Sequence, residues 1–285
     1  MAMKKADARL YQSFQQRYVA VIDLDGVVYE GDLPIAGAVE AIAKIRSMGK
    51  RVVFLTNNSG KSRESIARKL RSFGVPCQPG DVMSSARAAA VFLAGMKRCQ
   101  PVRVFGSSEL VSEIQGAGVA VAAQGEKYQS LLVGLDSQFS MSRIAEALQA
   151  IKMGARWYAC NRDPSYVGAA GEYLPGTGPL VAAIEAASGV SPDEVLGKPA
   201  TWILECLMRE HGVARKDCCV FGDSWQSDIA LACAAGIPAV WISLRETGSI
   251  KGKILPVNVA RAQSLAAAVE LVYTAPTSRS RKMAA

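Results

Sequence analysis

The sequence has a single histidine, His211, among its 285 residues. One imidazole is too few for a histidine phosphatase or for a metal site with several histidine ligands. The seven cysteines are odd in number and form no C-x-x-C pair, so the sequence predicts neither a disulfide framework nor a zinc site. No cysteine has an arginine six residues later, which excludes the loop of a cysteine-dependent phosphatase.

Long hydrophobic runs are also missing. The longest apolar stretch, around residues 88–96, is too short to cross a bilayer. The polar N-terminus has no apolar block that would indicate a signal peptide. These features predict a soluble, cytoplasmic chain that has no membrane partner.

The net charge of +8 is scattered along the chain, and basic runs interleaved with aromatic residues are absent. Nucleic acid is therefore not expected as a partner, and the charge favours anionic small substrates. Part of the excess lies in the tail 278–282, which is predicted to be a frayed end.

Half of the residues are hydrophobic, and apolar strand-like runs alternate with helical patterns, which predicts an α/β fold with a mostly parallel sheet. Strands are predicted at 18–24, 51–55, 102–105, 131–134, 156–159, 194–196, 218–221 and 239–242. Helices are predicted at 38–48, 62–73, 84–96, 109–115, 142–153, 180–187, 201–211 and 228–235. The sequence after 242 looks less regular.

The alternation restarts near residue 97, which indicates a second unit inserted into the first. The predicted division is a core domain at 1–96 and 193–285, interrupted by an inserted α/β domain at 97–192. The glycine-rich segment 168–178 is predicted to be a mobile loop of the inserted domain.

Four polar clusters follow predicted buried strands, and in open parallel sheets ligands bind at the carboxyl ends of the strands. The clusters are Asp23 with Asp25, Thr56-Asn57-Asn58, Gly197-Lys198, and Gly222-Asp223-Ser224 with Asp228. Each has a structural alternative when taken alone: a D-x-D is often a solvated turn, Asn57 and Asn58 could cap a helix, and Lys198 could be an exposed turn lysine. Chance alone is a poor explanation for four polar clusters that all follow predicted buried strands.

The carboxylates of these clusters suit a hard cation. Asp23 and Asp25 are two residues apart, so on an extended segment they point to the same side. With Asp223 and Asp228 they offer oxygen ligands, which Mg²⁺ prefers. The Lys198 ammonium and the Thr56 hydroxyl would hold an anion, and phosphate fits best beside a divalent ion.

Longer motifs resemble those of a known family. The stretches VIDLDGVVYEG, LTNNSGKSR, LGKP and FGDSWQSDI resemble, in that order, the four motifs of the haloacid dehalogenase (HAD) superfamily. The resemblance is closest to its 4-nitrophenylphosphatase and NagD-like branch, and it extends over about 18–247. It implies a Rossmann-like parallel-sheet core with an inserted α/β cap, and a Mg²⁺-dependent phosphomonoester hydrolase acting on small phosphorylated metabolites.

The resemblance also implies roles for the carboxylates. Asp23 would be the nucleophile that forms an aspartyl-phosphate, and Asp25 the general acid and then base, with a raised pKa. Mg²⁺ would be held by Asp23, the main-chain carbonyl of Asp25 and Asp223. Asp228 belongs to the same site, where it would orient the metal shell or Lys198.

The remaining roles concern the substrate. By the same resemblance, Thr56 and Asn57 would bind the phosphoryl oxygens, Lys198 would bridge phosphate and nucleophile, and Asn58 would shape the neighbouring loop of the phosphate site. Residues 161–166 resemble the branch's specificity loop, which makes Arg162 and Tyr166 candidates for contact with the leaving group.

Alternatives stay open at this point. A phosphotransferase with an acceptor other than water would use the same residues, and so would a non-catalytic phospho-ligand-binding regulatory protein. Neither the substrate nor the oligomeric state follows from the sequence, although a homodimer through the cap is an expectation from the relatives of this branch.

Overall fold

The computed structural model describes residues 5–243 and 255–274, so the basic tail lies outside the described residues. The chain forms two compact units. The first takes in the described residues of Met1–Leu55, Ser72–Pro76 and Met208–Ala285, and the second consists of Thr56–Arg71 and Cys77–Leu207.

Most strands are short, with two to six residues each. In chain order they are β1 (Val19–Ile22), β2 (Tyr29–Glu30), β3 (Leu33–Pro34), β4 (Arg51–Thr56), β5 (Val82–Ser84), β6 (Val102–Phe105), β7 (Ser130–Val133), β8 (Arg156–Ala159), β9 (Ser165–Val167), β10 (Tyr173–Pro175), β11 (Glu194–Val195), β12 (Cys218–Gly222), β13 (Ala239–Ile242) and β14 (Val259–Ala262).

The α-helices have five to twelve residues. They are α1 (Lys5–Gln15), α2 (Ala38–Ser47), α3 (Arg63–Ser72), α4 (Ser85–Gly95), α5 (Ser108–Gly116), α6 (Met141–Lys152), α7 (Thr177–Ser188), α8 (Thr201–His211), α9 (Ala230–Ala235) and α10 (Leu265–Val269). Of two π-helical turns among the described residues, Trp225–Ile229 leads directly into α9 and Glu270–Thr274 follows α10. Among the described residues, none of these helices is both long and apolar enough to span a membrane.

The largest sheet has six strands in the order β14-β13-β12-β1-β4-β5. Its pairings from β14 to β4 are parallel. Every residue of β1 and β12 is buried, as expected for parallel strands covered on both faces. Since β1 and β12 are in register from Val19 with Cys218 to Ile22 with Phe221, the residues that follow these two strands emerge at the same edge of the sheet.

The second unit contains a four-stranded parallel sheet in the order β11-β8-β7-β6. Alternate residues of its strands face two separate apolar cores. Leu132 packs with residues of α4 and α5, whereas Leu131 and Val133 pack with residues of α6 and α7. A parallel sheet with helices on both faces is the layered arrangement that the alternation predicts.

The α/β fold class is confirmed, and each predicted strand and helix is present with ends that differ by a few residues. The prediction of a loop over 168–178 is wrong for its second half, because Tyr173–Pro175 pairs antiparallel with Ser165–Val167 and α7 begins at Thr177. Strands of three residues are too short to show an alternation. The expectation of irregular sequence after 242 is also wrong, since β14 and α10 lie there.

Candidate active site

Three carboxylates of the first unit lie together at the ends of β1 and β12. Asp23, Asp223 and Asp228 each offer an oxygen atom, and these atoms lie within 4.8 Å of one another. Asp23 and Asp228 are buried, whereas Asp223 is exposed. Burying like charges so close together is unfavourable unless a cation or a proton compensates them.

This donor set fits magnesium. Mg²⁺ binds oxygen ligands at about 2.1 Å, so ligands on opposite sides of the ion are about 4 Å apart. Oxygen atoms within 4.8 Å of one another therefore need only small adjustments to share one ion. Asp228 is further fixed by the main-chain N–H of Ser224, which donates to its Oδ2 at 3.1 Å.

Two glycines allow the close approaches in this cluster. Gly26 has φ +78°, and a Cβ there would lie 2.2 Å from Oδ2 of Asp223. A Cβ at Gly222 would lie 2.3 Å from Cβ of Asp228. Any larger residue at these two positions would displace a carboxylate of the cluster.

Tyr29 is a neighbour of Asp23 and Asp25 that the sequence patterns did not single out. Its main-chain carbonyl accepts the N–H of Gly26 at 2.9 Å, and its side chain is buried. Burial, followed by the negative charges of Asp25 and Asp23, raises the pKa of Tyr29 well above its usual value. The phenol therefore stays protonated beside these carboxylates.

In the second unit, Asn57 forms the centre of a buried hydrogen-bond network with Lys198. Its Oδ1 accepts the main-chain N–H of Lys198 at 2.8 Å, and its Nδ2 donates to the carbonyl oxygen of Lys198 and to Oδ1 of Asp163, each at 3.0 Å. The carbonyl oxygen of Asn57 accepts from Ser85 Oγ at 2.6 Å and from Asn161 Nδ2 at 2.7 Å. One proton and one lone pair of the Asn57 side-chain amide therefore hold the main chain at Lys198, and the second proton goes to the Asp163 carboxylate.

The loop after Thr56 is shaped by its own side chains. Thr56 Oγ1 accepts the N–H of Asn58 at 3.0 Å, and Asn58 Oδ1 accepts the N–H groups of Gly60 and Lys61 at 3.0 Å. Asn58 is therefore a loop-forming residue, as an Asx turn requires. Thr56 is buried and is the last residue of β4.

Glu109 attaches this loop to α5. Its Oε2 accepts from the N–H of Ser62 at 2.9 Å and from Ser62 Oγ at 2.8 Å, and Lys61 Nζ lies 3.2 Å from its Oε1. Burial acts to raise the pKa of Glu109, but the hydrogen bonds from Ser65, Ser62 and Lys61 outweigh it and lower the pKa to about 2. The start of α3 is thus held by an ionised carboxylate.

The two candidates for leaving-group contact differ in their surroundings. Arg162 makes a two-pronged ion pair with Glu185, at 2.8 and 2.5 Å, which holds its guanidinium on α7. Tyr166 lies on β9 with 38% of its surface exposed. The neighbours of Arg162 on each side, Asn161 and Asp163, are the residues of this loop that contact Asn57.

Comparisons with known proteins identify the family of this chain. A family model described as haloacid dehalogenase-like hydrolase matches residues 20–120, and a second HAD-hydrolase-like model matches residues 195–252. The sugar-phosphatase AraL of Bacillus subtilis is 34% identical over 81% of this chain and 84% of its own length.

Solved structures of other phosphatases have a similar fold to this chain. The p-nitrophenyl phosphatase of Archaeoglobus fulgidus superposes with a TM-score of 0.81 at 30% identity, covering 90% of this chain and 99% of the other. A glycerol phosphate phosphatase of Mycobacterium tuberculosis in complex with magnesium gives a TM-score of 0.78 at 31% identity, covering 88% of this chain and 76% of the other.

The chain therefore belongs to the haloacid dehalogenase-like hydrolases, as the motifs predicted. It is a phosphatase of that family, a phosphoric monoester hydrolase, and magnesium is the metal of this class. Within the family it falls in the 4-nitrophenylphosphatase and NagD-like branch.

Proposed function

We propose that Asp23 is the nucleophile of a two-step phosphomonoester hydrolysis. In the first step an oxygen of Asp23 attacks phosphorus, the bond from phosphorus to the ester oxygen breaks, and Asp25 gives its proton to the departing alcohol. In the second step Asp25 takes a proton from water, whose oxygen attacks the aspartyl-phosphate. Inorganic phosphate leaves, and Asp23 is regenerated.

The observation that carries this proposal is the carboxylate cluster of Asp23, Asp223 and Asp228. These residues, with the main-chain carbonyl of Asp25, would hold Mg²⁺. When bound, the ion neutralises charge between the nucleophile and the phosphate. The close approach of Asp223 to Gly26 supports this role, because it keeps a carboxylate against the turn that follows Asp25.

The TNN and LGKP motifs would grip the phosphate. We assign the phosphoryl contacts to the Thr56 hydroxyl, to the main-chain N–H groups near Asn57 and to Lys198. The hydrogen-bond network supports a modified role for Asn57, since its side-chain amide already holds Lys198 and Asp163. Asn58 supports the same loop from its other end.

We infer that the substrate is a small phosphorylated metabolite of the sugar or polyol class. The names of the relatives point to sugar phosphates and glycerol phosphate, and the net charge of +8 favours an anionic ligand. We propose that residues 97–192 form the cap domain that selects the substrate. Arg162 and Tyr166 remain its candidates for contact with the leaving group.

The test is a phosphate-release screen with Mg²⁺ over sugar phosphates, glycerol 3-phosphate, nucleotides, phosphoglycolate, pyridoxal phosphate and 4-nitrophenyl phosphate, ranked by kcat/KM. Asp23→Asn should abolish turnover of every substrate. Metal-dependent turnover that survives in Asp23→Asn would show that Asp23 is not the nucleophile. A wild type that binds phosphate without turnover would be a regulatory protein, and transfer to added glycerol would identify a phosphotransferase.

Two further proposals concern the state of the chain in the cell. The free thiols of all seven cysteines support a reducing compartment, and we propose the cytoplasm. We also propose a homodimer through the cap, which rests on the family resemblance. Light scattering on the wild-type chain tests the dimer.

A further inference from the structure

Asp223 differs from the other two carboxylates of its cluster in being exposed. Side chains packed around Asp23 and Asp228 hold those residues in place, because both are buried. An exposed ligand has less packing to fix it, so its position depends more on the anchoring of its main chain. The indole of Trp241 provides such an anchor, since its Nε1 donates to the carbonyl oxygen of Asp223 at 2.8 Å.

The position of Trp241 is itself well determined. It lies on β13, where it is in register with Gly222 of β12 on one side and with Arg261 of β14 on the other. Its ring meets the ring of Trp225 edge to face, at 5.4 Å between centroids and 76° between planes. The Arg261 guanidinium lies over the Trp241 ring, 5.2 Å from its centroid. The indole is therefore held by its strand, by a second aromatic ring and by a cation.

We infer that Trp241 is a positioning residue for the magnesium site. Its N–H fixes the main chain at Asp223, and so places the Asp223 carboxylate over Gly26, next to Asp23 and Asp228. This inference rests on the proposed function, because it takes the three carboxylates to be the metal site. It assigns to Trp241 no contact with the substrate or with the reacting atoms.

Trp241→Phe is the decisive variant, since phenylalanine keeps an aromatic ring and removes the donor. The net contribution of one hydrogen bond corresponds to a factor of about 3 to 10 in an equilibrium constant, so the Kd for the metal should rise by about that much. The measurement is Mn²⁺ binding by electron paramagnetic resonance on the substrate-free chain. Saturating Mg²⁺ should restore kcat to near the wild-type value.

Trp202→Phe is the matched control. The Nε1 of Trp202 donates to the carbonyl oxygen of Ala88 at 3.0 Å, so this variant loses the same kind of hydrogen bond in the other compact unit. Its Mn²⁺ affinity should equal that of the wild type. Unfolding temperatures in EDTA would show how much stability each variant loses apart from the metal.

The outcomes separate the inference from the proposed function. A wild-type chain that binds Mn²⁺ and turns over, with an unchanged Kd in Trp241→Phe, overturns the role of Trp241 alone. Equal weakening in Trp202→Phe and Trp241→Phe also overturns it. A wild type that neither binds Mn²⁺ nor turns over rejects the proposed function itself. If Trp241→Phe does not fold, Trp241→Met lacks the same donor and is measured instead.

Discussion

The side-chain amide of Asn57 pairs with the main chain of Lys198 in both directions: its Oδ1 accepts the Lys198 N–H, and its Nδ2 donates to the Lys198 carbonyl oxygen. Both residues are buried, although 141 positions separate them in the sequence. The second Nδ2 proton goes to Asp163. One amide thus holds both the lysine of the third motif and the loop that contains Asp163.

Asn57→Leu should therefore weaken phosphate binding. Leucine has a similar shape but leaves the N–H and carbonyl groups of Lys198 without these partners, and each buried group left unsatisfied costs about 1–3 kcal/mol. We expect the Kd for inorganic phosphate to rise about tenfold or more, with a lower unfolding temperature. Isothermal titration calorimetry with phosphate measures the first effect.

Asn258→Leu is the control for this prediction. Its Nδ2 also donates to a main-chain carbonyl oxygen, that of Ile237, at 2.8 Å. This variant should lose stability and keep its phosphate affinity. Equal phosphate affinity in Asn57→Leu and the wild type would show that Asn57 does not position Lys198.

Asp25→Asn should separate the two chemical steps. An amide can neither donate an acidic proton to the leaving oxygen nor accept one from water. With alkyl phosphates both steps need Asp25, so we expect turnover to fall by about 10²–10⁴. The 4-nitrophenolate leaving group departs without protonation, so 4-nitrophenyl phosphate should still react once with Asp23. Stopped-flow absorbance should show one equivalent of nitrophenolate, followed by a slow steady state.

The burst reports the first chemical step, in which Asp23 attacks phosphorus. Asp23→Asn lacks the nucleophile and should show no burst. A slow Asp25→Asn variant that releases nitrophenolate linearly from time zero would contradict the assignment of Asp25 to both steps.

Gly26→Ala should damage the metal site more than the fold. Alanine at φ +78° is strained by roughly 1–2 kcal/mol, and its Cβ would meet Oδ2 of Asp223 at 2.2 Å. The Asp223 carboxylate must move, so the Kd for Mn²⁺ should rise well beyond the effect of strain. Electron paramagnetic resonance measures this Kd.

Gly49→Ala supplies the matched comparison. Gly49 has φ +72°, and a Cβ there would meet nothing within 4 Å. Gly49→Ala should lose about as much stability through strain as Gly26→Ala does, and it should keep the Mn²⁺ affinity of the wild type. If both variants bind Mn²⁺ equally well, the contact between Gly26 and Asp223 does not shape the metal site.

Glu109→Gln should make the free energy of unfolding less dependent on pH in the acid range. The pKa of Glu109 is lowered in the folded chain from its usual 4.5 to about 2. Its stabilisation is therefore fully present above pH 4.5 and is lost as the pH falls towards 2. We expect Glu109→Gln to cost about 1–2 kcal/mol at pH 7, as charge-assisted hydrogen bonds do. The difference from the wild type should shrink between pH 4.5 and 2.

Urea unfolding midpoints at pH 7, 5, 4 and 3 measure this difference. Ser62→Ala removes the hydroxyl donor, and the double variant with Glu109→Gln gives the coupling energy of the pair. A difference between Glu109→Gln and the wild type that stays constant from pH 7 to pH 3 would contradict the role of the ionised carboxylate.

Local sequence patterns predicted the fold class well because parallel strands are continuous apolar runs. The strand Arg156–Ala159 and the helix Thr201–His211 have the predicted ends. The patterns did not predict β5, β10 and β14, which are short strands of three or four residues. Their pairing depends on neighbouring strands that are distant in the sequence.

Residue type and position at strand ends predicted that Asp23, Asp223 and Asp228 lie close together, and the structure places them so. The hydrogen bonds of the Asn57 side chain were not predicted, because a TNN motif does not reveal which groups its amides contact. Arg162 and Tyr166 were predicted from the resemblance of 161–166 to the branch's specificity loop, whereas Asn161 and Asp163 are the residues of this loop that contact Asn57. Charge is visible in a sequence, but the direction of a side chain is not.

The family of this chain could be recognised from the sequence, because the residues that indicate its chemistry lie in short motifs that can be read without knowing the fold. How those residues are held became visible in the folded structure. The register of β12 with β13 brings Trp241 to the main chain of Asp223, and the fold of the second unit brings Asn57 to Lys198. Hydrogen bonds and packing between distant segments exist only once the chain has folded.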